Sequence, residues 1–302
     1  MQEPTFKESG PEQLIHEIAM PLIAVAQDGN QEYVSGTAFV IGRGWALTAF
    51  HVLDDFVLRY EGVRVGDGNP NISFQILAFL TVEAGKKVLP LRVMRIWRAT
   101  PLDIAVLAFG VDNDWPDDYV WKVPALDLLP PKCGTPIFGF GFANPSLDRP
   151  GNAGPPLLNL HPRTTTGHVI EIHHELRDTS RLPFPCFRSN ARFDGGMSGG
   201  PVFNKASGKL CGVICSSLPG TNPDEEHVSY VSSLWPIIAT PIDATDTEVS
   251  GAARYPLMRL FENRILNATN LERVGLTLDS ERRTIPFAHY NRAEWDGGGP
   301  TS

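Results

Sequence analysis

Short apolar runs, each ended by Gly, Asp or Pro, follow one another from Tyr33 onward and limit what this chain can fold into. Runs of this length and spacing are typical of β-strands, and such frequent breaks favour a loop-rich β protein over a helical bundle. The 28 Gly and 26 Pro residues supply the breaks. The clearest runs are TAFVI, WALTAFHVL, RVMRIW and DIAVLAF, followed by TPIFGFGF, TTTGHVIEIH, PVFN, LCGVICSS and HVSYVSS. The sequence therefore predicts an all-β fold with many loops.

The two ends of the chain have different patterns. Residues 12–19 (EQLIHEIA) predict a short amphipathic N-terminal helix. Near the other end, PLMRLFENRIL places Leu257, Leu260, Phe261 and Ile265 on one face at helical spacing. The last residues, DGGGPTS, predict disorder. We therefore expect a helical C-terminal extension with a disordered end.

Charge and hydropathy exclude two classes of partner. The net charge is −8 and no dense run of Lys or Arg occurs, so we expect no nucleic-acid partner. No stretch approaches the roughly 20 apolar residues of a membrane span, so we expect no membrane partner. The N-terminus carries acidic residues where a signal peptide needs basic ones, which predicts a cytoplasmic protein.

Cysteine and histidine residues are the candidate metal ligands, and neither set has a recognised metal-binding spacing. We therefore expect no metal and no cofactor. In a reducing compartment the cysteines are expected to be free thiols rather than disulfides. The residues concerned are Cys133, Cys186, Cys211 and Cys215, and His161, His168, His173 and His174.

The segment Asp194–Pro201 (DGGMSGGP) carries a candidate nucleophile, Ser198. Glycines beside a serine allow a tight turn in which backbone N–H groups point into one cavity. The N–H groups of Gly196 and Ser198 are the candidate donors to an oxyanion. A glycine-rich turn with an incidental serine is the alternative. The nucleophile elbow of α/β-hydrolases also fits the motif, but Gly199-Gly200-Pro201 begins a helix badly.

A base and an orienting acid precede this serine. His51 lies at the end of the apolar run WALTAFHV, and imidazole titrates near neutral pH. Asp103 begins the very apolar run DIAVLAF, where a buried carboxylate needs a partner. A histidine N–H is a suitable partner and holds the imidazole in one tautomer. Each of these residues, taken alone, has an alternative interpretation. His51 is then an ordinary core or surface residue, and Asp103 is a residue at a strand end that caps a turn.

Four blocks in this order resemble the trypsin-like peptidases, and most closely their HtrA/Deg-like bacterial branch. The blocks are SGTAFVI, LTAFHV, DIAVL and GMSGGPVF. The resemblance implies a chymotrypsin-type fold of two six-stranded β-barrels, the first at about 20–120 and the second at about 121–240. The peptidase domain then spans 1–240 and the extension 241–302. His51 and Asp103 are expected from the first barrel, and Ser198 from the second.

The same resemblance implies where a substrate lies. Cys215, Ser216 and Ser217 form the strand expected to pair with an extended peptide. Arg192 and Phe193 fall near the pocket for the residue before the scissile bond. Phe193 in the wall favours an apolar side chain, and Arg192 favours an acidic one. Strand alternation predicts that only one of them faces inward.

Two departures from the family separate this chain from secreted trypsins and from typical HtrA proteins. Met197 replaces the aspartate that precedes the nucleophile in secreted trypsins, and no PDZ domain is expected in the last 60 or so residues. Regulation is then expected from a partner protein or from an oligomer.

The resemblance implies a serine endopeptidase that cleaves protein or peptide substrates through an acyl-enzyme. A trypsin-fold protein that serves as a binding or regulatory module is the first alternative, and an esterase on another fold is the second.

Overall fold

The computed structural model describes residues 6–8, 14–26, 32–61, 74–82, 87–110, 120–148, 157–218, 227–243, 254–278, 286–292 and 295. The predicted disordered end lies outside these residues. A short strand β1 (Phe6–Glu8) comes first, and the predicted N-terminal helix is reduced to one 3₁₀ turn, Leu14–Glu17. The next strand begins at Ala19 and is a continuous apolar run whose first six residues are buried.

Six strands of the first half close into a barrel in the order β2-β3-β4-β7-β6-β5. Every second residue of these strands is apolar and points inward, as Met20, Leu22 and Ala24 do in β2. The strands are β2 (Ala19–Ala26), β3 (Glu32–Gly42), β4 (Trp45–Thr48), β5 (Phe74–Val82), β6 (Lys87–Arg98) and β7 (Ala105–Phe109).

The second half forms another six-stranded barrel, with β9, β12, β13, β16, β15 and β14 paired in a closed circle. The strands of this half are β8 (Leu126–Asp127), β9 (Pro136–Phe142), β10 (Ser146–Asp148), β11 (Leu157–Asn159), β12 (Pro162–His173), β13 (Cys186–Ser189), β14 (Pro201–Asn204), β15 (Leu210–Leu218) and β16 (Val228–Ser233). The predicted all-β fold with two six-stranded barrels is confirmed.

A shared core joins the barrels. Strand β7 buries both of its faces: Ala105 and Leu107 point into the first barrel, while Val106 faces the second. This explains the nearly unbroken apolar run DIAVLAF. The indole rings of Trp45 and Trp97 stack at 5.5 Å between centroids against this core.

The C-terminal extension packs on the shared core and is less helical than its sequence pattern indicated. A 3₁₀ turn (Trp235–Ala239) precedes it, and its elements are β17 (Pro241–Asp243), β18 (Arg254–Pro256), α2 (Met258–Glu262), β19 (Ala268–Thr269), another 3₁₀ turn (Leu271–Arg273), β20 (Val274–Leu278) and β21 (Pro286–Tyr290). The predicted helix ends at Glu262, because the backbone turns into the left-handed region at Arg264 (φ 58°). Leu260 and Leu266 nevertheless bury their side chains in the shared core.

Helix α1 (Phe50–Glu61) follows β4 and corrects the predicted strand WALTAFHVL. Only Trp45–Thr48 is extended. Beyond it Val52, Leu53, Phe56 and Val57 recur at helical spacing and pack against the first barrel. Within the described ranges, none of the helices has the length and apolar content needed to cross a bilayer.

Candidate active site

Asp103 holds His51 at two points. Its Oδ2 lies 2.6 Å from the ring Nδ1, and its Oδ1 accepts the backbone N–H of His51 at 2.9 Å. That amide is one of the first in α1, where N–H groups have no partner within the helix. The Asp103 carboxylate therefore caps the helix and orients the imidazole at once. With Nδ1 bound to the carboxylate, Nε2 is the ring nitrogen available to accept a proton.

The pKa of His51 is raised above its usual value by a balance of opposing effects. Burial of the ring is the largest single effect and lowers the pKa. The hydrogen bond to Asp103 and the charge of that carboxylate outweigh it, and the nearby Asp55 and Asp54 raise the pKa further. The side chain of His51 keeps 46% of its surface exposed, so it remains accessible from the cleft.

Ser198 lies in a turn that requires glycine on each side. Gly196 has a φ of 84° and Gly199 a φ of 83°, in the left-handed region that favours glycine. A Cβ at Gly199 would lie 2.1 Å from the carbonyl oxygen of Thr37, and one at Gly196 would lie 2.5 Å from that of Phe142. Gly199 therefore allows the close approach between the two barrels, and Gly196 allows close packing within the second half of the chain.

Thr37 of β3 braces this turn, and the sequence analysis did not assign it a role. Its N–H donates to the carbonyl of Ser198 at 2.8 Å, and its hydroxyl donates to the carbonyl of Gly196 at 3.0 Å. The same hydroxyl accepts the N–H of Phe142 at 3.1 Å. Thr37 belongs to the block SGTAFVI, which contributed to the family resemblance. Nothing in that block predicts a contact between Thr37 and the turn at Ser198.

The backbone N–H groups of Gly196 and Ser198 differ in their hydrogen bonding from those of the neighbouring residues. Met197, Gly199 and Gly200 each donate a backbone hydrogen bond to a carbonyl, within 3.1 Å. Across the described part of the chain, the amides of Gly196 and Ser198 donate to no backbone carbonyl. Two neighbouring unused donors are the arrangement that stabilises an oxyanion.

The turn that carries Ser198 is stabilised by a buried side chain, Met197, and by two arginines that bind Asp194. The Met197 side chain is fully buried in the core of the second barrel, where secreted trypsins have an aspartate. The Asp194 carboxylate accepts hydrogen bonds from Arg163 and Arg192, each at 3.0 Å. Burial of Met197 and the paired Asp194 therefore support the turn.

Three cavities meet at His51 and Ser198. One of about 330 Å³ is bordered by both residues together with Gly196. A small cavity of about 250 Å³ is bordered by Ser198, Ser217 and His227. A large cavity of about 620 Å³ is bordered by His51, Cys215 and Ser216. Strand β15 therefore separates the small cavity from the large one, and His227, just before β16, also lines the small cavity.

The predicted pair Arg192 and Phe193 both border the small cavity, where alternation predicted one of them. Their environments differ. Phe193 is 3% exposed and its ring packs against Gly139 and Ile214. The Arg192 side chain is 46% exposed and binds Asp194. The wall of the small cavity is therefore polar where Arg192 is exposed to solvent and apolar in its buried part, at Phe193.

The cysteines are free thiols: three are buried and Cys133 is exposed. Burial raises the pKa of Cys186 to about 12. Cys215 is buried beside the site and its thiol donates to the carbonyl of Tyr230 at 3.2 Å. No group of three or more His, Cys, Asp or Glu residues placed to hold a metal occurs among the described residues.

The sequence model of the family described as "Trypsin-like peptidase domain" matches residues 36–213, more than half of the chain. No curated protein matches the chain in sequence.

Similar solved structures include two bacterial proteases. Protease Anisep from Arthrobacter nicotinovorans is 13% identical, with a TM-score of 0.49 and 76% of this chain and 94% of that one covered. The active form of the Rv3671c protease from M. tuberculosis is 17% identical, with a TM-score of 0.45 and 72% and 77% covered.

Proposed function

Because the chain belongs to the trypsin-like peptidase domain family, we propose that it is a serine endopeptidase that uses His51, Asp103 and Ser198. One observation carries this proposal: Asp103 binds the ring of His51 at 2.6 Å. The same imidazole borders one cavity with Ser198 and the amide donor Gly196. A nucleophile, a base, an orienting acid and donors for the oxyanion are the parts that acyl transfer requires.

In the proposed mechanism the Ser198 hydroxyl attacks the substrate carbonyl carbon while His51 Nε2 accepts its proton. The carbonyl oxygen becomes an oxyanion, which the N–H groups of Gly196 and Ser198 stabilise. The C–N bond then breaks, and the imidazolium donates the proton to the leaving amine. Water repeats the sequence on the acyl-enzyme, and the freed acid leaves with the Ser198 hydroxyl restored. Asp103 stays ionised and stabilises the imidazolium.

Strand addition is the proposed mode of substrate binding. Strand β15 pairs with β16 as far as Leu218, whereas β14 pairs with its other edge only as far as Val213. Among the described strands, none covers that second edge at Cys215–Ser217. An extended peptide can form main-chain hydrogen bonds there, which favours protein or peptide segments as substrates.

Labelling with a fluorophosphonate probe tests the nucleophile. We expect the wild-type chain to be labelled and the Ser198→Ala variant to lose the label, together with turnover of an unfolded protein. Ser207→Ala is the matched control, because Ser207 is exposed in the turn after β14. Labelling of Ser198→Ala at another serine would refute the assignment. A folded wild-type chain without label or turnover would instead favour the binding or regulatory module.

Several parts of the proposal rest on the sequence alone. The HtrA/Deg-like branch, a cytoplasmic location, and a regulatory partner or oligomer stay predictions. They affect how the proposed peptidase is used, and the hydrolytic step does not depend on them.

A further inference from the structure

The large cavity has a cationic wall that the hydrolytic mechanism does not use. Three arginines border it: Arg98 at the end of β6, and Arg177 and Arg181 in the loop between β12 and β13. Their guanidinium groups stay charged at all physiological pH values and bind carboxylates through paired N–H donors. Three such groups beside a substrate cleft point to a negatively charged ligand.

Contacts of the arginines hold two of them in place against aromatic rings. The Arg98 guanidinium lies 4.2 Å above the ring of Phe50, and that of Arg177 lies 4.7 Å above the ring of Tyr230. Stacking of this kind fixes the plane of a guanidinium and leaves its edge donors available. Both rings also border the cavity, so the cations are positioned at its wall rather than left mobile on the surface.

One carboxylate, Asp178, neutralises one of these three positive charges. Asp178 is 3.0 Å from Arg177 and also accepts the backbone N–H groups of Arg181 and Ser180. These hydrogen bonds hold the pKa of Asp178 well below its usual range, so it balances Arg177 at neutral pH. Within the described residues, the guanidinium groups of Arg98 and Arg181 form no ion pair.

Two further carboxylates, Asp54 and Asp103, also border the cavity, at its His51 end. Asp103 is occupied by the ring and the amide of His51. Asp54 lies on the same helix as His51. A negative side chain is therefore disfavoured next to His51 and favoured beside Arg98 and Arg181.

We propose that the large cavity binds an acidic side chain of the substrate, at the fourth residue before the scissile bond. This inference rests on the proposed function for the direction in which a peptide lies. Side chains of an extended peptide alternate, so the residue before the scissile bond enters the small cavity beside Ser198. The second and fourth residues then face the large cavity, and the carboxylates near His51 assign the acidic side chain to the fourth.

Peptide binding to the Ser198→Ala chain tests the proposal without turnover. We compare the binding of three fluorescent peptides. They differ only at the fourth residue before the scissile bond, which is Glu, Gln or Lys. We expect Glu to bind about tenfold more tightly than Gln, a difference of about 1.4 kcal/mol, and Lys to bind most weakly. Added salt should reduce the preference, because the groups are exposed to solvent.

Arginine variants in that background identify the groups responsible. The double variant Arg98→Gln with Arg181→Gln is expected to bind the Glu and Gln peptides equally. Arg95→Gln is the matched control, because Arg95 is exposed on the same strand as Arg98 and does not border the cavity. The charge reversal Arg181→Glu is expected to favour the Lys peptide, and it provides a second test if the double variant unfolds.

Equal binding of the Glu and Gln peptides by the Ser198→Ala chain would overturn the proposal. A Glu preference that survives in a folded double variant would overturn it as well. Cleavage of the Gln peptide by wild type tests the proposed peptidase separately. Loss of the acidic preference and loss of hydrolysis are therefore distinct results.

Discussion

Thr37 in the first barrel and Gly196 in the second are joined by a hydrogen bond from Oγ1 to the carbonyl oxygen, at 3.0 Å. These residues are 159 positions apart in the chain. The bond fixes the peptide unit that directly follows the candidate oxyanion donor, the N–H of Gly196. Thr48 donates in turn to the carbonyl of Thr37 at 2.7 Å, so the brace is anchored in the first barrel.

Replacing Thr37 by Val should impair catalysis more than binding. The change leaves the Phe142 N–H and the Gly196 carbonyl without a partner, which costs about 1–3 kcal/mol for each buried group. We expect kcat to fall by at least about tenfold, since loss of an oxyanion donor alone costs roughly 10² to 10³, with KM little changed. Thr37→Ser keeps the hydroxyl and should retain most of kcat. Equal kcat values for the Val and Ser variants would contradict a positioning role.

Replacing Asp103 by Asn should leave a folded chain with little activity. The amide cannot stabilise an imidazolium and favours the wrong tautomer of His51, so we expect kcat to fall on the order of 10³ to 10⁴. Steady-state hydrolysis of a peptide, with thermal unfolding as the check on folding, measures this. Asp148→Asn serves as the control, because that carboxylate binds Asn159 away from the site. A variant with kcat within about twofold of wild type would exclude Asp103 from the mechanism.

Charges on α1 should set the acid limit of activity. Activity requires neutral His51, so kcat/KM should fall as the pH drops through its raised pKa. Asp54 and Asp55 raise that pKa, so removing their charges lowers it. The double variant Asp54→Asn with Asp55→Asn should therefore stay active to lower pH than wild type. An acid limb that moves to higher pH, or does not move, would contradict the assignment of His51 as the base.

Alanine at Gly199 should destabilise the contact between the barrels. The new Cβ would lie 2.1 Å from the carbonyl oxygen of Thr37 and 2.3 Å from Oγ1 of Thr48. Backbone strain alone costs about 1–3 kcal/mol, so the total loss in free energy of unfolding should exceed it. Gly208→Ala is matched in conformation, with a φ of 68°, but its Cβ meets nothing within 4 Å. Denaturant unfolding of both variants should show the larger loss for Gly199→Ala. Equal losses would mean that strain, and not the close approach, decides.

Strand content followed from the sequence, because alternation and glycine breaks are local properties. The run DIAVLAF was predicted to be buried on both faces, and β7 buries both. Local pattern failed at WALTAFHVL, which begins as a strand and continues as α1. An apolar run of that length satisfies either period, and packing against the first barrel decided between them.

Motifs that can be read along the chain predicted the two-barrel fold, which the structure confirms, and they predicted His51, Asp103 and Ser198 as the candidate triad. The structure adds that Asp103 caps the helix carrying His51, 52 residues away. It also places Thr37 against Gly196, and both Arg98 and Arg181 at the wall of one cavity. The physical reason is that hydrogen bonds and cavities form between residues brought together by barrel closure, and no local pattern encodes which distant groups will meet.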